Sequence, residues 1–102
     1  MVTLAELKAS VAKPAPPGDV APPVQALWWA AKGNWDTAHA IVMKDESQQA
    51  AWVHAYLHRV EGDLPNAGYW YRAAGKPVET GPLEAEWNAI VAALLGAGLL
   101  GS

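Results

Sequence analysis

The chain has 102 residues, of which 52% are hydrophobic and 17% charged, and it contains no cysteine. This length predicts one domain with a single core, and so apolar a composition is typical of a folded chain rather than a disordered one. A formal net charge of −3 does not supply the positive field that binds a phosphate backbone, so we expect no nucleic-acid partner. The lack of cysteine excludes disulfides, thiol nucleophiles, iron–sulfur clusters and thiolate zinc sites.

The first 21 residues predict a segment that precedes the main domain. Leu4, Leu7 and Val11 recur at helical spacing. Five prolines follow between residues 14 and 23, and each fixes its own φ and disfavours helix at the residue before it. We therefore expect an N-terminal segment and proline-rich strap over residues 1–21, and a single helical domain over residues 22–102. No basic start leads into an apolar run, so we expect no secretory signal and a cytoplasmic location.

A repeat organises the middle of the chain. Placing Gly33 on Gly62 aligns two units with a period of 29 residues, and each unit is predicted to form a helix, a glycine turn and a second helix. The alignment also matches small residues on both helices of each unit. These pairs are Ala26 with Ala55 and Ala38 with Ala67. Because small side chains let two antiparallel helices approach closely, we expect these alanines to be buried between the helices.

Capping signals predict where these helices begin. Asn34 and Asp63 follow the two turn glycines and are residue types that cap a helix N-terminus. Asp45 and Gln48 have the spacing of a capping box for the first helix of the second unit. Ser47, which lies between them, is another residue typical of a helix start.

The last segment, from Pro82 to Leu95, predicts an amphipathic helix that covers the end of the repeat. Glu84, Glu86 and Asn88 lie off its apolar stripe and are expected to face solvent. The apolar run from residue 89 to residue 100 covers twelve residues, against about 20 needed to cross a bilayer, so we expect no membrane partner. The predicted fold is all-α, with two stacked helix-turn-helix hairpins, a C-terminal capping helix and a proline-rich N-terminal strap.

Residues 62–77, GDLPNAGYWYRAAGKP, carry a family resemblance. A glycine precedes the helix, Ala67 and Tyr71 follow four residues apart, and Ala74 and Pro77 close the stretch. This order resembles the second half of a tetratricopeptide-type repeat, which implies helical hairpins and partner binding on a concave face. His54 and His58 stand where that family favours a leucine and a tyrosine. Residues 52–75 also resemble small bacterial proteins without an assigned activity, a resemblance that implies no chemistry.

The histidines are the main candidates for chemistry. His54 and His58 lie one helical turn apart on one face, a spacing that can hold a transition metal. Glu61 lies about 10 Å along the axis from His54, so further ligands would come from His39 or Asp36 on the preceding helix. The two histidines also point away from the centre of the apolar face. This placement favours structural histidines that face solvent or a neighbouring helix over a metal site or an acid–base pair.

The aromatic residues suggest a binding surface. Six tryptophans are present, and adjacent aromatics on a helix lie about 100° apart, so one of each cluster tends to leave the core. The candidate partner-binding residues are Trp28, Trp29, Tyr69 and Trp70. The alternative is that tryptophan fills a core that has no phenylalanine, and this interpretation explains most of them.

The sequence therefore favours a small interaction module that binds a partner protein or a second copy of itself, rather than an enzyme. No G-x-S-x-G elbow, P-loop or G-x-G-x-x-G motif is present. The alternative function is a metal-binding protein or metal-dependent enzyme that uses His54, His58 and either His39 or Asp36. A divalent transition metal is the one cofactor that the sequence suggests.

Overall fold

The structure, a computed structural model, describes residues 2–101 and the side chains of residues 2–96. Within this range the chain is all-α, without a strand. The helices are α1 (Leu4–Ser10), α2 (Pro22–Ala31), α3 (Trp35–Met43), α4 (Gln48–Val60), α5 (Leu64–Ala74) and α6 (Leu83–Gly101). The hairpins α2–α3 and α4–α5 stack through α4, α6 covers α2 and α4, and the segment before α2 brings α1 against α6. The predicted fold class is confirmed.

The two glycine turns have the same local geometry. Gly33 and Gly62 have φ values of +88° and +85°, in the left-handed region that glycine adopts without strain. The residues after them, Asn34 and Asp63, share a ψ of 77°, and each side chain accepts a hydrogen bond from the backbone N–H three residues on. The predicted N-terminal caps of α3 and α5 are therefore confirmed.

The start of α4 differs from one of the two sequence-based predictions. Ser47 caps the helix, because its hydroxyl accepts from the N–H of Ala50. The capping box predicted for Asp45 and Gln48 is wrong. The Asp45 carboxylate instead accepts from the N–H of Ser47 at 2.9 Å, and the amide of Gln48 reaches α5 and donates to the carbonyl of Ala74 at 3.2 Å. An aspartate that bonds the backbone two residues on forms a turn, which moves the cap to Ser47.

The helices of each hairpin meet on the alanines predicted for that contact. All four are buried, with at most 2% of their surface exposed: Ala26, Ala38, Ala55 and Ala67. On the other side of α4, Leu57 and Val53 pack with α2 and α6 residues in the main core. Leu7 of α1 belongs to this core and is fully buried. The N-terminal segment thus packs on the body of the protein.

Helix α6 carries a buried acid that was expected to face solvent. Glu86 is only 3% exposed, so that expectation is wrong. Its carboxylate accepts from Arg59 Nη1 of α4 at 2.8 Å and from the hydroxyl of Tyr71 of α5. Burial and this hydrogen bond raise the pKa of Tyr71, so the phenol stays protonated. The two donors offset the desolvation of the carboxylate and tie α6 to both helices of the second hairpin.

Among the residues that the structure describes, no helix is both long enough and apolar enough to cross a membrane.

Candidate metal centre

All three histidines of the chain come together between α3 and α4. His39 lies on α3, and His54 and His58 lie on α4. The Nε2 atoms of His39 and His54 are 3.0 Å apart, and one nitrogen from each of the three rings lies within 4.8 Å of the others. We call these three side chains the histidine cluster. Asp36, the other ligand that the sequence suggested from α3, is exposed and does not belong to it.

Helix α4 places its two histidines against its neighbours rather than in solvent. His54 and His58 are 5% and 6% exposed, and His39 is half-buried. Because the two rings on α4 are one turn apart, they stack, with centroids 4.8 Å apart and an interplanar angle of 24°. The sequence predicted that structural histidines would face either solvent or a neighbouring helix. In the structure, His54 and His58 face neighbouring helices.

Two tryptophans frame the histidine cluster. The indole of Trp35 stacks on the His39 ring with centroids 4.6 Å apart, and its Nε1 donates to the carbonyl of Leu57 at 2.7 Å. The indole of Trp70, from α5, stacks on the His54 ring with centroids 3.9 Å apart. The imidazole orientations are thus set by aromatic side chains that are themselves packed between helices.

Glu61 orients the third ring. Its carboxylate lies 2.6 Å from Nδ1 of His58 and is partly exposed, at 39%. A carboxylate at this distance accepts a hydrogen bond from the N–H at Nδ1 of His58, so Nε2 is the nitrogen of this ring that could bind a metal ion. The same arrangement is common around metal ions, where a carboxylate behind the histidine fixes its tautomer and raises its basicity.

Burial disfavours the charged form of two of the three imidazoles, His54 and His39. It lowers the pKa of His54 to about 4, with a further contribution from charge on His39 and then on His58. Burial also lowers the pKa of His39, followed by the effect of His58. These rings are therefore neutral at physiological pH, and a neutral imidazole is the form that binds a metal ion.

The aromatic residues proposed as a binding surface occupy different environments. Trp28 is fully buried and its Nε1 donates to the Ser10 hydroxyl at 2.9 Å, so it cannot contact a partner. Trp29 is half-buried against the same core. Trp70 belongs to the frame of the histidine cluster, and Tyr69 is the one of the four with a mostly exposed side chain, at 56%.

Neither the contribution of Trp35 nor the orienting role of Glu61 was predicted from the sequence. Trp35 and His39 are four residues apart on α3, so they share a face, and this spacing was a usable signal. From the sequence, Glu61 was considered as a ligand that would share a metal ion with His54. Its distance from His54 along α4 excludes it as a common ligand but not as the support of His58.

Comparison with known proteins adds no function to this geometry, because no family model, curated protein or solved structure matches the chain.

Proposed function

We propose that this protein binds a divalent transition-metal ion through the imidazole nitrogens of His39, His54 and His58. The observation that supports this proposal is the convergence of one nitrogen from each ring within 4.8 Å. His54 and His58 are buried and His39 is half-buried, and among these three rings only His39 and His54 share a hydrogen bond with each other. A metal ion would satisfy all three lone pairs at once.

The spacing of the nitrogens is close to that of a tetrahedral site. Ligand nitrogens about 2.1 Å from zinc lie about 3.4 Å from one another. The Nε2 atoms of His39 and His54 are already 3.0 Å apart, and the largest separation in the histidine cluster is at most 4.8 Å. Bringing nitrogens that are 4.8 Å apart to the spacing of a tetrahedral site takes a movement of about 1.4 Å, which the half-buried His39 ring permits. Metal binding would replace the hydrogen bond between His39 and His54.

The type of ligand indicates the type of metal. Three neutral nitrogens suit zinc, copper, nickel or cobalt, whereas calcium and magnesium prefer oxygen ligands. Because the ligands carry no charge, the bound ion would keep its full positive charge and act as a strong Lewis acid. A site with three protein ligands also leaves one position for water or for an exogenous ligand, as in catalytic rather than structural zinc sites.

A second group of possible ligands shares His58 with this site but fits a metal less well. His58, Glu61 and Asp63 also lie within 4.8 Å of one another. Both acids are exposed, and the carboxylate of Asp63 already caps α5 by accepting from the N–H of Asn66. Their positions are explained by the cap and by the support of His58.

The geometry supports metal binding better than the interaction module that the sequence favoured. That function depended on exposed aromatics or on an exposed face with His54 and His58. His54 and His58 are buried, as is Trp28, whereas Tyr69 stays accessible for contact with a partner. A protein partner is therefore a second proposal, supported by Tyr69 alone, and replacing Tyr69 with serine is expected to abolish capture of that partner from a cell extract.

Calorimetric titration with Zn²⁺ tests the metal site. The protein must carry no polyhistidine tag, because its three native histidines are all in the site. We expect one ion per chain, and more than about 100-fold weaker binding for His39→Ala and for His58→Ala, since loss of a ligand exceeds the 10- to 100-fold effect of losing its support. Circular dichroism would show that each variant is folded.

The matched control is Asp36→Asn, which removes the other ligand that the sequence suggested on α3. Because Asp36 is outside the histidine cluster, this variant is expected to bind Zn²⁺ as tightly as the parent protein. If the folded parent protein takes up neither Zn²⁺ nor Co²⁺, or if Asp36→Asn weakens binding as much as His39→Ala, the proposed site is wrong.

A further inference from the structure

A cleft lies next to the histidine cluster. It has a volume of about 420 Å³ and lies along α4, with the end of α3 on one side and α5 on the other. His54 lines the cleft and also belongs to the histidine cluster, and Trp70 lines it beside His54. A ligand in this cleft would therefore lie against one of the proposed metal ligands. The volume is in the range of sites that hold small organic molecules.

The walls of the cleft are apolar near the histidine and acidic at the other end. Val42, Ala51 and Ala73 line it together with Trp70. The charged residues that line it are Asp45 and Glu46, from the loop between α3 and α4, and no lysine or arginine lines it. A carboxylate or phosphate would meet repulsion from both acids and no compensating cation. The charge of the cleft therefore fits a cationic ligand.

The dimensions set the length of that ligand. Ser47, next to the two acids, and His54 are seven residues apart along α4, which corresponds to about 10 Å. A molecule that spans this distance has one end at the histidine cluster and the other end beside the acids. The apolar walls between them favour a body made of carbon rather than a polar chain.

We propose that the cleft binds a small organic amine, about 10 Å long, whose ammonium group pairs with Asp45 and Glu46 and whose other end supplies the fourth ligand of the metal ion. This inference rests on the proposed metal site, because the open coordination position is what holds the far end of the ligand. It identifies the ligand class by charge, length and apolar body.

Three pyridines of similar length test the proposal on the Co²⁺-loaded protein. These are 4-(4-aminobutyl)pyridine, a cation at neutral pH whose extended chain carries the ammonium group to the acidic end of the cleft, 4-pentylpyridine, which is neutral, and 4-(pyridin-4-yl)butanoate, which is an anion. Each ligates through its ring nitrogen, and the para substituent cannot reach the same ion. Changes in the visible spectrum of bound Co²⁺ report ligation. We expect the cation to bind about fivefold more tightly than the neutral compound, which is the gain in affinity that one partly exposed ion pair gives. The anion is expected to bind most weakly.

The double variant Asp45→Asn, Glu46→Gln is expected to bring the three affinities within about twofold of one another while Co²⁺ affinity stays unchanged. Asparagine keeps the side-chain oxygen that accepts from Ser47, so the start of α4 is preserved. The matched control, Asp19→Asn with Glu84→Gln, removes the same charge from exposed positions outside the cleft and is expected to keep the preference for the cation.

The outcomes separate the two proposals. If Co²⁺ binds but the pyridines leave its spectrum unchanged, or bind with equal affinity, the cleft does not select an amine and the metal site stands. The same conclusion follows if the control variant loses the preference as fully as the double variant. If Co²⁺ does not bind, the metal site itself is wrong and the inference that rests on it falls too.

Discussion

Helix α4 contributes to two buried polar groups that are built on opposite principles. Toward α6, Arg59 meets Glu86, which also accepts from Tyr71, so opposite charges and hydrogen bonds satisfy one another. Toward α3, His54 and His58 meet His39, and one nitrogen from each of three imidazole rings comes within 4.8 Å of the others. The first group is complete within the protein and holds the helices together. The second is held by the hydrogen bond between His39 and His54 and by Glu61 behind His58, and it is where we propose that a metal ion binds. The first group is therefore a structural network, and the second is a candidate site.

The largest effect is expected from breaking the structural network. Glu86→Ala leaves the guanidinium of Arg59, whose side chain is 12% exposed, without its carboxylate partner. Loss of one partner of a buried ion pair lowers the free energy of unfolding by about 3–5 kcal/mol. Urea denaturation measures this loss, and Glu84→Ala, at an exposed position on the same helix, should stay within about 0.5 kcal/mol of the parent. If both variants lose the same free energy of unfolding, Glu86 does not have the structural role assigned to it.

Acid should destabilise the histidine cluster in the metal-free protein. The pKa of His54 is about 4 when folded, below its ordinary value of 6.5, so the unfolded chain binds the extra proton first. The contribution of His54 to stability is therefore present above pH 6.5 and is lost as the pH falls from 6.5 towards 4, to a total of about 3 kcal/mol.

Unfolding free energies of the parent and of His54→Gln, measured at several pH values, test this prediction. Other groups also titrate in acid, so the informative quantity is the difference between the two proteins. The glutamine variant should have a smaller slope between pH 6.5 and pH 4. Parallel curves for the two proteins would contradict the lowered pKa.

Zinc should stabilise the fold without the help of the structural network. At a free concentration 100 times the dissociation constant, a ligand that binds only the folded state adds about 2.7 kcal/mol. We expect this increment in the parent and in Glu86→Ala, and none in His39→Ala at the same zinc concentration. Thermal or urea unfolding with and without zinc measures it. A smaller increment in Glu86→Ala than in the parent would show that the two groups are coupled.

The smallest effect is expected from replacing Glu61, which supports His58. Glu61→Gln replaces a carboxylate with an amide and weakens the hydrogen bond to Nδ1, so Zn²⁺ affinity should fall about tenfold. Glu61 is partly exposed, and unfolding of the metal-free variant should change by less than about 1 kcal/mol. Calorimetry and urea denaturation on the same sample give both values. A change in stability without a change in affinity would assign Glu61 to the fold alone.

The sequence predicted what depends on neighbours along the chain. Asn34 and Asp63 cap helices as expected, since a cap involves only the next few residues. The glycine turns and the buried alanines follow from spacing that repeats within a hairpin. The all-α stack of two hairpins with a capping helix could be inferred from these local features.

Contacts between distant helices were harder to predict. The apolar stripe of α6 indicated that Glu86 faces solvent, and only the positions of Arg59 and Tyr71 on other helices explain its burial. The sequence offered His39 and Asp36 equally as partners of His54. The rotation of α3 against α4 selects His39, and that rotation depends on packing across the whole interface.

The convergence of every imidazole in the chain on one place gives the protein its own spectroscopic reporter. Each imidazole proton signal in a nuclear magnetic resonance spectrum must come from His39, His54 or His58. A paramagnetic ion bound there would shift or broaden all of these signals together, whereas a nonspecifically bound ion would leave them unequally affected. Occupancy could thus be followed in unlabelled protein, without introducing any foreign group.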